Sequence, residues 1–229
     1  MRSGLAGVND VDCLPNHCEL AIVGAGPAGL AAASLGADLG IDVLLLDEQE
    51  EPGGQIYRGV ANRFASTTDA RSAEDMRGEA LIASFWRSGA RYVAGALVWS
   101  IESANAHHEI YLSVGGRSRQ IVARQLVLGT GAYERAFPIP GWTLPGVMTA
   151  GAAQILLKKA ALIPSGKIVL AGCGPLLYRV AQQLVHAGAE ISALLDTLNW
   201  TRLGYASVRG RVPALAPSRR GGEALARRA

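Results

Sequence analysis

The 229-residue sequence contains few cysteines, few aromatic residues and no hydrophobic run long enough to cross a membrane. Its three cysteines, Cys13, Cys18 and Cys173, are too few and too scattered for a disulfide framework. The N-terminal region also lacks the apolar segment of a secretory signal. Together these absences predict a cytoplasmic protein without a membrane span.

Basic residues are not in excess outside the C-terminal region. The net charge is +3, but residues 202–229 hold seven arginines and one glutamate, a balance of +6. The remaining residues carry 15 basic and 18 acidic side chains, a balance of −3. This distribution excludes a nucleic-acid-binding core. Residues 199–229, rich in Arg, Gly, Ala and Pro without a period, are predicted to form a basic, disordered tail.

Metal-ligand and nucleophile motifs are absent as well. Cys13, His17 and Cys18 lack a fourth ligand and a framework that would hold a closed metal site, so the two cysteines are interpreted as unpaired thiols. No nucleophile elbow or Ser/His/Asp arrangement occurs. We therefore predict no metal site and name no catalytic acid or base.

What the sequence does contain is a strand–turn–helix–strand pattern around "GAGPAG". Gly24, Gly26 and Gly29 fill all three glycine positions of the dinucleotide-binding turn, and Asp47 follows about 20 residues later. The first glycine permits the tight turn, the second lets a pyrophosphate approach the backbone, and the third lets helix and strand pack closely. The pattern predicts a nucleotide at the helix N-terminus, with Asp47 beside its ribose hydroxyls.

Further elements predict an α/β fold. Alternating apolar residues predict antiparallel strands at 90–102 and 107–124, with a hairpin turn at 115–116. A buried strand from 125 then runs into a glycine turn at 129–131. We predict a Rossmann-like dinucleotide-binding domain with a parallel sheet and an antiparallel β insertion, followed by the first βαβ unit of a second dinucleotide-binding domain.

The second unit repeats the opening pattern with one glycine missing. Gly172 and Gly174 occupy the first two glycine positions, Leu177 replaces the third, and Asp196 ends the following strand. Two interpretations stay open at this point. Gly172, Gly174 and Asp196 form a weak site for a second dinucleotide, or Leu177 crowds the pyrophosphate and the unit is purely structural.

The sequence resembles the flavoprotein disulfide reductase-like superfamily. The resemblance is carried by the first turn together with "VLLLDE", "GGQIYRG", "LVLGTGA" and "AFPIPGWTLPGVMTAGAAQILLK". Within it, the sequence is most similar to the FAD-binding α-type subunits of opine oxidase, D-hydroxyproline dehydrogenase and hydrogen cyanide synthase. The resemblance implies FAD in the first dinucleotide fold and NAD(P)H in the second. It also makes Arg58 a candidate contact of a phosphate or a substrate, although a solvent-exposed arginine is equally compatible.

The FAD-binding positions combine the first turn with those that the resemblance implies. They are Gly24, Gly26, Pro27, Ala28, Gly29, Asp47, Glu48, Gly53, Gly54, Gln55, Thr130, Gly131 and Ala132. The resemblance further implies oxidation of a small amino-acid-type substrate at a C–N bond, with electrons passing through FAD to a β-type partner subunit. Two alternatives are an NAD(P)H-dependent reductase of a partner protein and a non-catalytic remnant that binds nucleotide.

Members of this family are longer and continue into a segment that returns to the FAD domain. The chain is therefore expected to be truncated, which leaves open whether it is active alone. The predicted organisation is a flexible leader at 1–18, an incomplete FAD-binding domain at 19–148, a truncated NAD(P)-binding-like domain at 149–198, and the tail at 199–229.

Overall fold

The structure is a computed structural model, and it describes residues 11–60, 73–104 and 106–197. The chain divides into two compact units, one ending at Tyr133 and the other starting at Glu134. The described part of the first unit holds a six-stranded mixed sheet, and that of the second holds two parallel strands. The predicted α/β class is confirmed, whereas the predicted tail lies outside the described residues. Within the three described ranges, no helix is long and apolar enough to cross a membrane.

The first unit builds its sheet from parallel and antiparallel parts. Strand β1 pairs in parallel with β2 and with the end of β6, and β2 pairs in parallel with β3. Strand β5 pairs antiparallel with β4 and with the start of β6. The strand order is β3-β2-β1-β6-β5-β4. The elements are β1 His17–Val23, α1 Pro27–Asp38, β2 Val43–Leu46, α2 Ala73–Ser88, β3 Arg91–Val93, β4 Leu97–Ala104, β5 His107–Val114 and β6 Arg117–Leu128.

Two hydrophobic cores lie on opposite faces of the sheet because side chains alternate along β2. Leu44 and Leu46 belong to one core with Ile110 of β5. Val43 and Leu45 belong to the other, with buried residues of α1 and α2 that include Phe85. All four β2 side chains are buried, and burying each contributes about 1.5–3 kcal/mol. A strand apolar on both faces is typical of the centre of a parallel sheet.

The strand prediction for 90–102 was wrong in one respect. This segment contains two strands, because the chain turns at Gly95, where φ is 64°. Its first part, β3, pairs with β2 in parallel, and only its second part, β4, joins the antiparallel hairpins. The segments predicted as separate strands around 117–128 instead form one continuous strand, β6.

The N-terminal residues 11–16 pack against β6. Val11 and Leu14 are buried in the core that contains Ile110. Arg119 Nη1 donates to the Val11 carbonyl oxygen at 3.0 Å, and Arg117 pairs with Asp12 at 2.8 Å. Of the predicted flexible leader at 1–18, residues 1–10 lie outside the described part, and β1 already begins at His17.

The second unit contains α3 Ala150–Ala160, β7 Ile168–Gly172, α4 Pro175–His186 and β8 Ile191–Asp196. Thr149 caps α3, since its hydroxyl oxygen accepts from the Ala152 N–H at 3.3 Å. Helices α3 and α4 are joined by a hydrogen bond of 2.7 Å between the side chains of Gln154 and Gln183. The buried core of the unit comprises Leu170, Leu177, Val180, Ala181 and Leu184.

Candidate nucleotide-binding site

The first glycine turn joins β1 to α1, and its three glycines have different surroundings. Gly24 has a φ of 102°, and a Cβ atom there would lie 2.7 Å from the carbonyl carbon of Gly129. At Gly29 a Cβ atom would overlap the carbonyl oxygen of Gly24. A Cβ atom on Gly26 meets no atom of the described residues within 4 Å. Gly24 and Gly29 therefore serve close packing, whereas Gly26 faces open space that a ligand can enter.

Helix α1 presents its N-terminus at the same place. Gly26 is the N-cap and Pro27 is the first helical residue. Among the described residues no side chain caps this end, so the N–H groups of Ala28 and Gly29 lack the usual side-chain acceptor. The positive end of the helix dipole adds to these donors. The arrangement suits a phosphate next to Gly26.

Two further glycine loops contact the first turn. The Gly53 N–H donates to the Ala25 carbonyl oxygen at 2.8 Å, and a Cβ atom on Gly54 would lie 2.8 Å from Gly26 Cα. The Gly129 N–H donates to the Val23 carbonyl oxygen at 2.8 Å. Three backbone segments distant in sequence thus meet at the first glycine turn, where Gly54 contacts Gly26 and Gly129 contacts Gly24.

A side chain connects the second and third of these loops. Gln55 Nε2 donates to the Ala132 carbonyl oxygen at 3.3 Å. Thr130, Gly131 and Ala132 are exposed, and Gly131 has a φ of 73°. The structure therefore brings the predicted residues of all three loops together within the first unit.

The two acidic residues after β2 have different environments. Asp47 is half-buried, and its carboxylate accepts from the Ala25 N–H and, at 2.7 Å, from the Gln49 N–H. It thereby holds the glycine turn in shape. Glu48 is exposed, and its carboxylate accepts from Gln49 Nε2 at 3.1 Å. Glu48 consequently presents the carboxylate on the solvent side of this strand end.

The second unit shows the same register with different chemistry. Gly172 pairs with Asp196 across β7 and β8, just as the Val23–Leu46 pair places Gly24 beside Asp47. The Tyr178 hydroxyl donates to Asp196 Oδ2 at 2.5 Å, and this bond raises the pKa of Tyr178 to about 12. The position that matches Glu48 is Thr197, whose hydroxyl donates to the Gly172 carbonyl oxygen at 3.2 Å.

The glycine turn of the second unit keeps part of the first turn's geometry. Gly174 has a φ of 84°, and a Cβ atom there meets no described atom within 4 Å. Leu177, at the third glycine position, is buried in the core of the unit. Gly172 and Gly174 thus lie where the sequence predicts, while Asp196 is engaged by a tyrosine of the adjoining helix.

Metal ligands do not cluster in the parts of the chain that the structure describes. No group of three or more His, Cys, Asp and Glu side chains that could hold a metal ion occurs there. Cys13 and Cys173 are exposed, whereas Cys18 is buried. Burial, with a smaller effect of the Asp42 carboxylate, raises the pKa of the Cys18 thiol to about 11.

Two contacts of the site were not found by sequence reasoning. The first is the Tyr178–Asp196 bond, which depends on α4 placing Tyr178 over the end of β8. The second links Arg58 to Gln49, with an Nη1–Oε1 distance of 3.1 Å. The equivalence of Thr197 to Glu48, by contrast, can be found from the sequence. Each residue follows the aspartate that ends the second strand of its glycine-turn unit.

Comparison with known proteins matches most of the chain to one protein family. The family model described as pyridine nucleotide-disulphide oxidoreductase matches residues 18–204. The A subunit of opine oxidase from Agrobacterium tumefaciens (strain Ach5) is 44% identical over 189 residues, which are 80% of this chain and 38% of that protein. The HcnB subunit of hydrogen cyanide synthase from Pseudomonas aeruginosa is 33% identical over 192 residues, 82% of this chain and 40% of that protein. The chain thus spans well under half the length of these relatives.

Solved structures show the same fold. L-proline dehydrogenase from P. horikoshii matches with a TM-score of 0.63 at 21% identity, covering 80% of this chain and 36% of that one. Thioredoxin reductase of Lactococcus lactis matches with a TM-score of 0.56 at 20% identity, covering 77% and 55%. At these identities the matches establish a Rossmann-like architecture and nothing finer.

Proposed function

Because the chain belongs to the pyridine nucleotide-disulphide oxidoreductase family, a family of FAD-dependent oxidoreductases, we propose that it is the FAD-binding part of a multi-subunit amino-acid or opine oxidase. The family resemblance inferred from the glycine motifs is confirmed by these matches. The finer assignment draws on the names of the relatives, which are subunits of opine oxidase and of hydrogen cyanide synthase.

The observation that carries the proposal is the open space at Gly26, in a glycine turn that two further glycine loops contact. A phosphate placed there lies at the N-terminus of α1, beside the loop of residues 53–54 that contacts Gly26. No side chain at Gly26 fills the approach, because a methyl group there would contact no described atom. The residues present therefore fit the pyrophosphate of a dinucleotide.

We propose that Glu48 is the main residue that binds the ribose hydroxyls. Asp47 was the sequence-based choice, but its carboxylate already accepts two backbone N–H groups of the turn and the following loop. Glu48 is exposed at the same strand end and can accept bonds from ribose hydroxyls. Gly53, Gly54, Gln55, Thr130, Gly131 and Ala132 would line the middle of the cofactor.

When bound, FAD supplies the redox chemistry by taking up two electrons from a C–N bond of the substrate. The chain's own contribution is to bind the nucleotide and hold it against the three loops. The substrate class we propose is a small amino-acid-type molecule, and a β-type partner subunit is the electron acceptor. The same proposal includes a cytoplasmic location.

We infer that the second unit is structural and does not bind NAD(P)H. Asp196 is hydrogen-bonded to Tyr178, and Thr197 stands at the position of Glu48, so no carboxylate is offered to a ribose in the first unit's manner. Leu177 fills the core at the third glycine position. This argues against the alternative of an NAD(P)H-dependent reductase.

The first experiment is a visible spectrum of the purified 229-residue chain, with release of any bound nucleotide by heat. We expect a flavin spectrum, or uptake of added FAD, in roughly equimolar amount. Protein that binds neither FAD nor ADP would refute the proposal and also the alternative of a nucleotide-binding remnant. Anaerobic bleaching of the flavin by NADH or NADPH would instead favour the reductase.

The substrate and partner are tested on the FAD-loaded chain. We expect anaerobic bleaching by an opine or a secondary amino acid, and reoxidation of the flavin when an oxidised β-type oxidase subunit is added. Co-purification of the two chains through a tag on one of them measures the partnership directly. No co-purification would remove the proposed partner while leaving FAD binding intact.

A further inference from the structure

Arg58 lies in an acidic loop. Between residues 47 and 60 the sequence has four acidic residues and Arg58 as the only basic one. The negative field is felt by Tyr92, whose pKa is raised by burial and further by the carboxylates of Asp47, Glu50 and Glu51. The Tyr92 hydroxyl donates to the Gln49 carbonyl oxygen at 2.9 Å. An anionic ligand that approaches this loop therefore meets repulsion unless a cation offsets it.

The guanidinium of Arg58 is only partly satisfied. Its Nη1 donates to Gln49 Oε1 at 3.1 Å. Its Nε is buried and has no hydrogen-bond partner in the described part of the chain. A buried donor on a charged group that lacks an acceptor is destabilising, and native proteins contain few of them. The Nε–H therefore lacks an acceptor that a ligand oxygen could supply.

The loop that carries Arg58 is fixed to the glycine turn. Gly53 donates to Ala25, and Gly54 lies against Gly26. The Tyr57 N–H donates to the Gly53 carbonyl oxygen at 3.1 Å, which extends the ordered turn to the residue before Arg58. The unsatisfied guanidinium thus belongs to the loop that contacts the glycine turn at Gly26.

We propose that Arg58 is a cofactor-binding residue whose Nε–H donates to an anionic oxygen of the FAD pyrophosphate. The inference rests on the proposed binding of FAD. A guanidinium suits this position because it stays charged and donates from several nitrogens, one to Gln49 and another to the ligand. Its charge offsets the acidic residues of the loop as the pyrophosphate binds.

The test compares three variants of the full chain. Arg58→Met removes the charge and the donors, Arg58→Lys keeps the charge without the Nε donor, and Arg91→Met removes an exposed guanidinium that pairs with Asp42. Dissociation constants are measured for FAD, ADP and adenosine by fluorescence or calorimetry. Urea unfolding without ligand gives the stability of each variant.

We expect Arg58→Met to weaken FAD and ADP binding at least about tenfold and to leave adenosine binding and ligand-free stability close to wild type. Arg58→Lys should fall between wild type and Arg58→Met, and Arg91→Met should bind all three ligands normally. Unchanged affinity of Arg58→Met for FAD and ADP would overturn the inference alone. Equal weakening of adenosine would also overturn it, in favour of a structural role. A wild-type chain that binds none of the three ligands would refute the proposed function as well.

Discussion

Replacing Gly26 by alanine is expected to leave the fold intact while weakening FAD binding. Gly26 has a φ of −71°, which alanine adopts without strain, and the added methyl group meets no described atom within 4 Å. Alanine lowers the conformational entropy of the unfolded chain relative to glycine, which stabilises the folded variant by about 0.4–1 kcal/mol. The poorer N-cap preference of alanine opposes it by up to about 1 kcal/mol. The free energy of unfolding should therefore change by less than about 1 kcal/mol.

The loss of affinity follows from the same open space. The methyl group would occupy the approach of the pyrophosphate to the α1 N-terminus and remove at least one charge-assisted hydrogen bond, about 1.5–3 kcal/mol. Since about 1.4 kcal/mol corresponds to a factor of ten, FAD affinity should fall by about 10- to 100-fold. Fluorescence titration with FAD measures this fall, and urea unfolding measures the stability.

Gly29→Ala is the matched comparison. Its methyl group would overlap the Gly24 carbonyl oxygen, so α1 must move away from β1. Overpacking of this kind costs about 1–3 kcal/mol in stability even without ligand. Wild-type FAD affinity in the Gly26→Ala variant would refute the ligand-facing role of Gly26. A Gly29→Ala variant as stable as the wild type would refute the packing argument.

Three further predictions concern charges and thiols. Glu48→Gln should weaken FAD binding about tenfold at unchanged stability, whereas Asp47→Asn should lower ligand-free stability by about 1 kcal/mol, as titration and urea unfolding of both variants will show. The opposite pattern would return the ribose to Asp47. Cys18 should react with iodoacetamide much more slowly than the two exposed cysteines at about pH 8, since burial raises its pKa to about 11. Mass spectrometry measures the labelling, and equal labelling of all three cysteines would contradict this prediction. The bond from Tyr178 to Asp196 should stabilise the second unit below about pH 10 and lose this effect between about pH 10 and about 12, because folding raises the phenol pKa. Wild type should then lose more stability than Tyr178→Phe over that range, and parallel pH profiles would argue against the bond.

The sequence predicted the parts of the site that depend on local backbone geometry. The close packing at Gly24 and Gly29 follows from one short motif, because a Cβ atom on either would meet backbone atoms, whereas one on Gly26 would not. The element order around them was also predictable, since apolar runs without alternation indicate strands buried on both faces.

Features that depend on tertiary pairing were not predictable in the same way. Strand β3 has only three residues, and its parallel pairing with β2 is decided by the turn at Gly95. The carboxylate of Asp47 binds the glycine turn while that of Glu48 stays exposed, and this difference depends on how closely the turn approaches the end of β2. Neither follows from residue spacing, because both depend on the distance between segments that are remote in sequence.

Strand β6 has two sets of neighbours along its length. Its first half pairs with β5 and its second half with β1, and it then leads directly into the loop at 129–132. The hairpin turn before it, formed by Gly115 and Gly116, is exposed, and Cβ atoms there would contact no described atom. The backbone can thus be cut at this turn without dividing any strand. Two separately expressed pieces that meet there should reassemble by strand pairing, and recovery of FAD binding would turn the unit into a two-part reporter of protein association.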